Sequence, residues 1–225
     1  MLVEARWFFT FSSSVCATIV GITLTFGINS CRESQRVKKE MQKSMLQAVD
    51  NLRERLEDAR RWVDIIENEN RLYSIADSLY MNHLEVSDSL CDEFYNSLPY
   101  IRIAAFDHEF EKIFRGSYQL WQLQTGNDSL TFYISQCYDG LNMVEQTCSS
   151  LTDEMIEQLG VINAEKHFYR LQPREWTLTL LSDPGFQYFM SVRSFKASLA
   201  DYILGQALED YETHVLPLSE NLTNE

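Results

Sequence analysis

The sequence predicts an all-α protein. An N-terminal transmembrane helix runs into a long stalk helix that packs in an antiparallel helical bundle. Three observations carry this expectation. Residues 7–28 hold no charge and no proline. No Pro or Gly interrupts the chain between Ile28 and Pro99. From Val49 onward, apolar residues recur at alternating spacings of three and four, the pattern of a helix with one buried face. Eight Gly and four Pro in 225 residues are too few turn formers for an all-β chain. The expected organisation is a membrane anchor over 1–30, a helical stalk and bundle over 31–218, and a frayed tail over 219–225.

The stretch from Trp7 to Ile28 is 22 residues long. At 1.5 Å per residue such a helix reaches about 33 Å, enough for a hydrocarbon core of about 30 Å. Its seven Ser and Thr residues can bond back to the preceding turn. A retained single-pass anchor in the plasma (inner) membrane is the leading reading. A lipoprotein acylated at Cys31 is an alternative, because Ile28-Asn29-Ser30-Cys31 forms a loose lipobox, although the apolar run exceeds a signal-peptide core. Ser13, Ala17, Gly21 and Thr25 repeat every four residues, a small-residue face on which two membrane helices can approach and the chain self-associate. Arg32, Arg36, Lys38, Lys39 and Lys43 follow the anchor. The positive-inside rule alone puts the bundle in the cytoplasm, but the same residues suit lipid headgroups, so the side stays open.

Residues 32–61 carry nine Lys/Arg against six Asp/Glu, whereas 62–225 carry nine against 26. The whole chain has a net charge of −14, which excludes a nucleic-acid binder because that function needs a basic face. The stalk seam reads Val49, Leu52, Leu56, Ala59, Val63, Ile66, then Asn70 and Tyr73. Asn70 either fixes a coiled-coil register or marks the fraying end of the seam. A second helix is expected from Ser87 to Leu98, stopped by Pro99, and a short one around Phe106, Phe110, Ile113 and Phe114, broken at Gly116. Gly126-Asn127-Asp128 is a turn that caps the clearest seam in the chain. That seam comprises Leu130, Ile134, Cys137, Leu141, Val144, Cys148, Leu151 and Met155, with Asp139-Gly140 on the opposite face and Gly160 at the end. Residues 175–181 read as a short strand or a turn of helix. Asp183-Pro184 starts the last helix, with Phe195, Leu199, Ile203, Ala207, Tyr211 and Val215 on a drifting stripe and Pro217 as its stop.

The segment Val20 to Ser30 resembles a bacterial domain-of-unknown-function family of small single-pass membrane proteins. The family's anchor signature reads Gly-Ile-Leu-Ile-Ala-Leu-Gln-Ile-Asn-Asn-Trp-Asn before a charged helix. Gly21-Ile22 and Ile28-Asn29 match that pattern, and Phe106 to Leu123 is similar to its middle segment. Cys31 stands where the family carries Trp, which would make the lipobox a coincidence of position. The resemblance implies a helical fold and a membrane location, with no activity and no catalytic residue to carry over.

The residues point to no chemistry. Cys16, Cys31, Cys91, Cys137 and Cys148 contain no C-x-x-C pair. Cys137 and Cys148 read as small buried hydrophobes. The residues three before His83, His108, His167 and His214 are Tyr or Ala, so the Glu-x-x-His di-iron motif is missing. Asp107-His108-Glu109 with Glu111 reads as a solvated acidic helix start. There is no Walker loop, G-x-G-x-x-G or G-x-S-x-G. Phe186, Tyr188, Phe189, Phe195 and Tyr202 read as plain core, with a groove for an apolar ligand as the sharper alternative. The expectation is therefore a non-enzymatic protein without metal or cofactor. It acts by protein contact as a scaffold, assembly or sensory-accessory component, self-associating through anchor and stalk. A membrane-tethered small-molecule sensor is the rival.

Overall fold

The structure is a computed structural model that describes the backbone of residues 2–98, 107–125, 128–166 and 171–223. Side chains are described within those segments from residue 33 onward, apart from 120, 123–125, 128, 165, 166 and 223. Every regular element among the described residues is helical. Among those residues no helix is long and apolar enough to cross a membrane. The anchor segment 7–28, its Ser13, Ala17, Gly21 and Thr25 face, Cys16 and Cys31 lie outside the described side chains.

Helix α1 runs unbroken over Leu2–Met81. Its seam residues Val49, Leu52, Leu56, Ala59, Val63 and Ile66 are all buried within the chain. Asn70 neither frays nor sets a coiled-coil register: the helix continues for another three turns, and Asn70 accepts a hydrogen bond from Arg193. The helix ends in a Schellman arrangement, with Leu84 N–H bonded to Leu79 O and His83 N–H to Tyr80 O. His83 holds the left-handed position, φ 57°, that glycine ordinarily fills.

Helix α2 (Asp88–Ser97) is capped by the Ser87 hydroxyl. Helix α3 (Glu109–Thr125) passes straight through Gly116. A Cβ there would meet nothing within 4 Å, and burial of Phe114 and Trp121 on either side outweighs the ~1 kcal/mol helix cost of glycine. Helix α4 (Asp128–Lys166) likewise continues past Gly160. Helix α5 (Pro173–Leu181) resolves the strand-or-helix ambiguity as helix, with Trp176, Leu180 and Leu181 buried. Helix α6 (Pro184–Asp210) starts as expected, with the Asp183 carboxylate accepting from Phe186 N–H.

Cross-helix contacts give the directions. Tyr138 donates to Ala48 O and Arg55 to Glu145, so α1 and α4 run parallel. Arg60 meets Asp201 while Arg193 meets Asn70, so α6 runs against α1. Arg55 meets Glu111, and Phe114 lies against Tyr138, so α3 also descends. The lower half is thus an up-down-up-down bundle of α1, α3, α4 and α6, in which α1 and α4 run one way and α3 and α6 the other. In the upper half α2 and α5 pack instead, around Tyr73, Phe94, Trp176 and Phe186.

Two corrections concern the last helix. Its core stripe is Phe186, Met190, Arg193, Ala197, Ala200, Leu204 and Ala207, while Phe195 and Leu199 are exposed. The small residues let α6 lie close to α4. A Cβ on Gly140 would sit 3.4 Å from Ala207 Cβ, so Gly140 faces α6 rather than away from the core. Pro217 does not end the helix. A π turn over Tyr211–Val215 leads into α7 (Leu216–Thr223), whose Ser219 and Leu222 are buried. Proline's ring collides with the carbonyl four residues earlier in a regular helix, and the wider π register just before it relieves that contact. The expected fraying from 219 therefore does not occur through Thr223.

Candidate functional site

Among the described residues two arginines are buried, one in each half of the bundle, and each occupies a position in phase with an apolar seam. Arg55 stands between Leu52 and Ala59. It is 3% exposed. Its Nη1 donates to Glu111 Oε2 at 2.8 Å. Its Nε and Nη2 donate to Glu145 at 3.0 and 2.7 Å, and Nη2 also reaches Asn142 Oδ1 at 3.0 Å. Glu111 accepts further bonds from Arg115 and Asn142. His108 Nδ1 lies 3.1 Å from Arg55 Nη2 and 3.2 Å from Glu111 Oε2. Burial would raise the Glu111 carboxyl, but donors from Arg55, Arg115, Asn142 and His108 hold it down at about 2. Burial keeps the Glu145 carboxyl raised, since of these donors it has only Arg55, with His108 near by. Burial pulls the guanidinium of Arg55 down, and the two carboxylates overturn that pull and raise it. This hub ties α1 to α3 and α4. Its polar atoms are matched, so it works as a structural lock.

Arg193 is fully buried. Its Nη1 donates to Asn70 Oδ1 at 2.5 Å and to Ile66 O at 3.5 Å, and its Nη2 to Glu69 Oε2. Here the matching is incomplete. Arg193 Nε, Glu69 Oε1, Tyr73 Oη and Asp77 Oδ1 are all buried without a hydrogen-bond partner. Burial outweighs the attraction of Arg193 and lifts the Glu69 carboxyl to about 7. Burial also lowers Arg193, against the pull of Glu69. Beside this centre a cleft of about 370 Å³ opens between α1 and α6. Asn70, Tyr73 and Asp77 line it from α1, and Gln187, Ser191 and Ser194 from α6. The cleft is the candidate site, because two of the residues that line it, Tyr73 and Asp77, each carry a buried oxygen without a partner.

The candidates that the sequence singles out scatter over the fold. Asp107 is exposed and caps Glu109 N–H, as expected of a helix start. Glu111 is buried in the Arg55 hub, which the solvated reading missed. Among the aromatics, Phe186 is core, Phe189 packs beside it, and Tyr188, Phe195 and Tyr202 are 74, 73 and 65% exposed. Cys91, Cys137 and Cys148 are buried and free, as small hydrophobes are. His167 lies outside the described residues. Among the described residues no group of three His, Cys, Asp or Glu side chains is arranged to hold a metal. Sequence reasoning does not single out Glu69, Glu145 or Arg193. The available signal is a charged residue in phase with an apolar stripe, as in Met190, Arg193, Ala197. No family model, curated protein or solved structure matches the chain.

Proposed function

We propose that this chain is a single-pass membrane-anchored helical bundle that works by protein contact, pairing side by side with a second copy of itself through the outer face of α6. The observation that carries this reading is a second heptad on α6. Tyr188, Val192, Phe195, Leu199 and Tyr202 follow one another at spacings of four and three, the seam of a two-helix coil. Four of the five are exposed, at 49 to 74%. A helix apolar on its inner and outer faces is one that is covered on both.

The occupant follows from charge and orientation. The chain carries −14, so two copies repel across most of their surfaces. The α6 face is the exception. Its charged residues between 184 and 206 are Arg193, Lys196 and Asp201, and each is paired within the chain, to Glu69, Glu154 and Arg60. Anchors in one bilayer give both copies the same orientation, which sets Phe195 against Phe195 in a parallel seam. The stalk seam of 49–66 is filled by the chain's own helices, which moves self-association from the stalk to α6. Two heptads make a small interface, and confinement to a membrane raises the effective concentration that such an interface needs. The uncharged segment 7–28, the basic residues after it and the family resemblance of 20–30 support the anchor.

The test uses the full chain in lipid nanodiscs or detergent. Phe195→Cys treated with a short bis-maleimide is expected to give a crosslinked dimer, and Ser149→Cys, exposed on α4, is not. Phe195→Lys with Tyr202→Lys is expected to sediment as a monomer with an unchanged helix content. A monomeric parent, or equal crosslinking at 149 and 195, overturns the pairing. Release of the chain from membranes by alkaline carbonate overturns the anchor.

A further inference from the structure

We infer that α1 over residues 32–43 carries a docking stripe for an anionic phospholipid surface, on the face of the helix turned away from the bundle. The inference rests on the anchor proposed above, and adds the class of lipid and the side of α1 that meets it. Charge singles the segment out. Residues 32–43 hold five Lys/Arg against two Asp/Glu, whereas 44–225 hold 13 against 30. Arg32, Arg36, Lys39 and Lys43 follow one another at spacings of four, three and four. At 100° per residue their positions fall within about 60° of one another around the helix.

The opposite face belongs to the bundle. Met45, Ala48 and Leu52 are fully buried, and Met41 packs against the same core. These positions lie about 180° from the middle of the stripe. Arg36, Lys39 and Lys43 are exposed. Arg36 meets Glu33 and Glu40, but pairs between exposed side chains contribute little and yield to a phosphate. The stripe also has an end. Asp50, Glu54 and Glu57, all exposed, occupy the same face two turns farther along. This arrangement selects a surface over a soluble polyanion. A polyanion in solution meets the acidic body from every side and is repelled. A bilayer entered through the anchor meets α1 at its base. Tilting the helix toward its cationic face lowers the stripe onto the headgroups and lifts the acidic bundle away from them. Tilts of up to about 40° are ordinary for a membrane helix. The attraction acts within about a Debye length of the surface, ~10 Å, so positions 32 and 36 count most and position 43 least.

The experiment is hydrogen exchange on the full chain in nanodiscs of phosphatidylcholine alone or mixed equally with phosphatidylglycerol. Amides of 33–43 are expected to exchange about fivefold more slowly in the anionic discs, the share of roughly one cation at such a surface. High salt is expected to remove the difference. Replacing the stripe (Arg32→Gln, Arg36→Gln, Lys39→Gln and Lys43→Gln together) is expected to abolish it. Removing four exposed cations elsewhere (Arg53→Gln, Arg61→Gln, Arg71→Gln and Lys112→Gln together) is expected to leave it. Equal exchange in the two discs overturns the inference, and so does protection that survives in the stripe variant. The same protection from polyphosphate added to neutral discs overturns the choice of a lipid surface. Failure of the anchor reads out separately, as release from phosphatidylcholine vesicles by alkaline carbonate. Salt-sensitive flotation with phosphatidylglycerol vesicles then shows the stripe acting alone, and no flotation overturns the stripe as well.

Discussion

The two buried arginines present the same side chain in two environments. Arg55 faces two carboxylates, an amide and an imidazole, and nearly every donor and acceptor around it is matched. Arg193 faces one carboxylate, one amide and, at 3.5 Å, the Ile66 carbonyl, and its own Nε and the buried oxygens Glu69 Oε1, Tyr73 Oη and Asp77 Oδ1 are left over. The carboxylates record the difference. Glu111 is held at about 2 and Glu69 is raised to about 7. A buried ion is stable only when its whole hydrogen-bond complement is supplied. The lower half of the bundle supplies it from α1, α3 and α4. The upper half leaves it open, beside a cleft.

Removing each arginine tests this contrast most severely. Arg55→Met strands Glu111 and Glu145 in the core, and the expected loss is about 3–5 kcal/mol. In a chain of this size that lowers the melting temperature by roughly 10 °C, readable by circular dichroism. Arg193→Met is expected to cost less, about 1–3 kcal/mol, because Glu69 can take up a proton once its partner is gone. Adding Glu69→Leu should recover most of that loss. If Arg193→Met proves as damaging as Arg55→Met in the same melts, the two centres are energetically alike and the contrast fails.

Acid and base sharpen the comparison with a smaller effect. The folded-state pKa of Glu69 lies above its ordinary value of 4.5. Between about 4.5 and about 7 the folded protein keeps a proton that the unfolded chain has lost, so this residue makes stability fall as pH rises through that window. Glu111 has the opposite sign. Its folded-state pKa lies below 4.5, so its contribution is present above that value and is lost as pH falls toward about 2. Urea midpoints measured in steps across both windows are expected to show a shallow neutral slope that Glu69→Gln removes. A separate acid limb should flatten in Glu111→Gln. A neutral slope that survives Glu69→Gln belongs to some other group.

Much of the fold was legible because burial in a helix leaves a periodic trace. The seams of 49–66 and 130–155 are the core of the bundle, and Asp183-Pro184 opens α6 as its cap chemistry requires. A breaker weighed alone misleads. Gly116 and Gly160 lie inside helices because their faces are open and the neighbouring apolar residues are held by tertiary contacts. On α6 the exposed Phe195 and Leu199 belong to the stripe that sequence predicts to face inward, whereas the observed inner stripe mixes large residues with alanines and Arg193, and its Ala207 packs closely on Gly140. The cleft was not legible at all. It depends on Tyr73 and Asp77 meeting a helix more than a hundred residues away in sequence, and that proximity has no periodic signature.

The π turn at Tyr211–Val215 has a consequence for counting. From Ala207 the inward positions are Ala207, Tyr211, Val215 and Ser219, three successive steps of four. In a helix of 3.6 residues per turn each such step overshoots by about 40°, so the stripe would wind off the core by about a third of a revolution. Five residues at the slower winding of the wider turn take back most of that angle. The segment therefore behaves as a one-residue insertion that the fold has absorbed in place. Deleting a single residue there would let the turn revert to regular winding: the eleven steps then left between Ala207 and Ser219 come to three turns plus about 20°, so Ser219 and Leu222 would keep their inward phase. The end of the bundle stays in phase because the wider turn takes up one surplus amino acid.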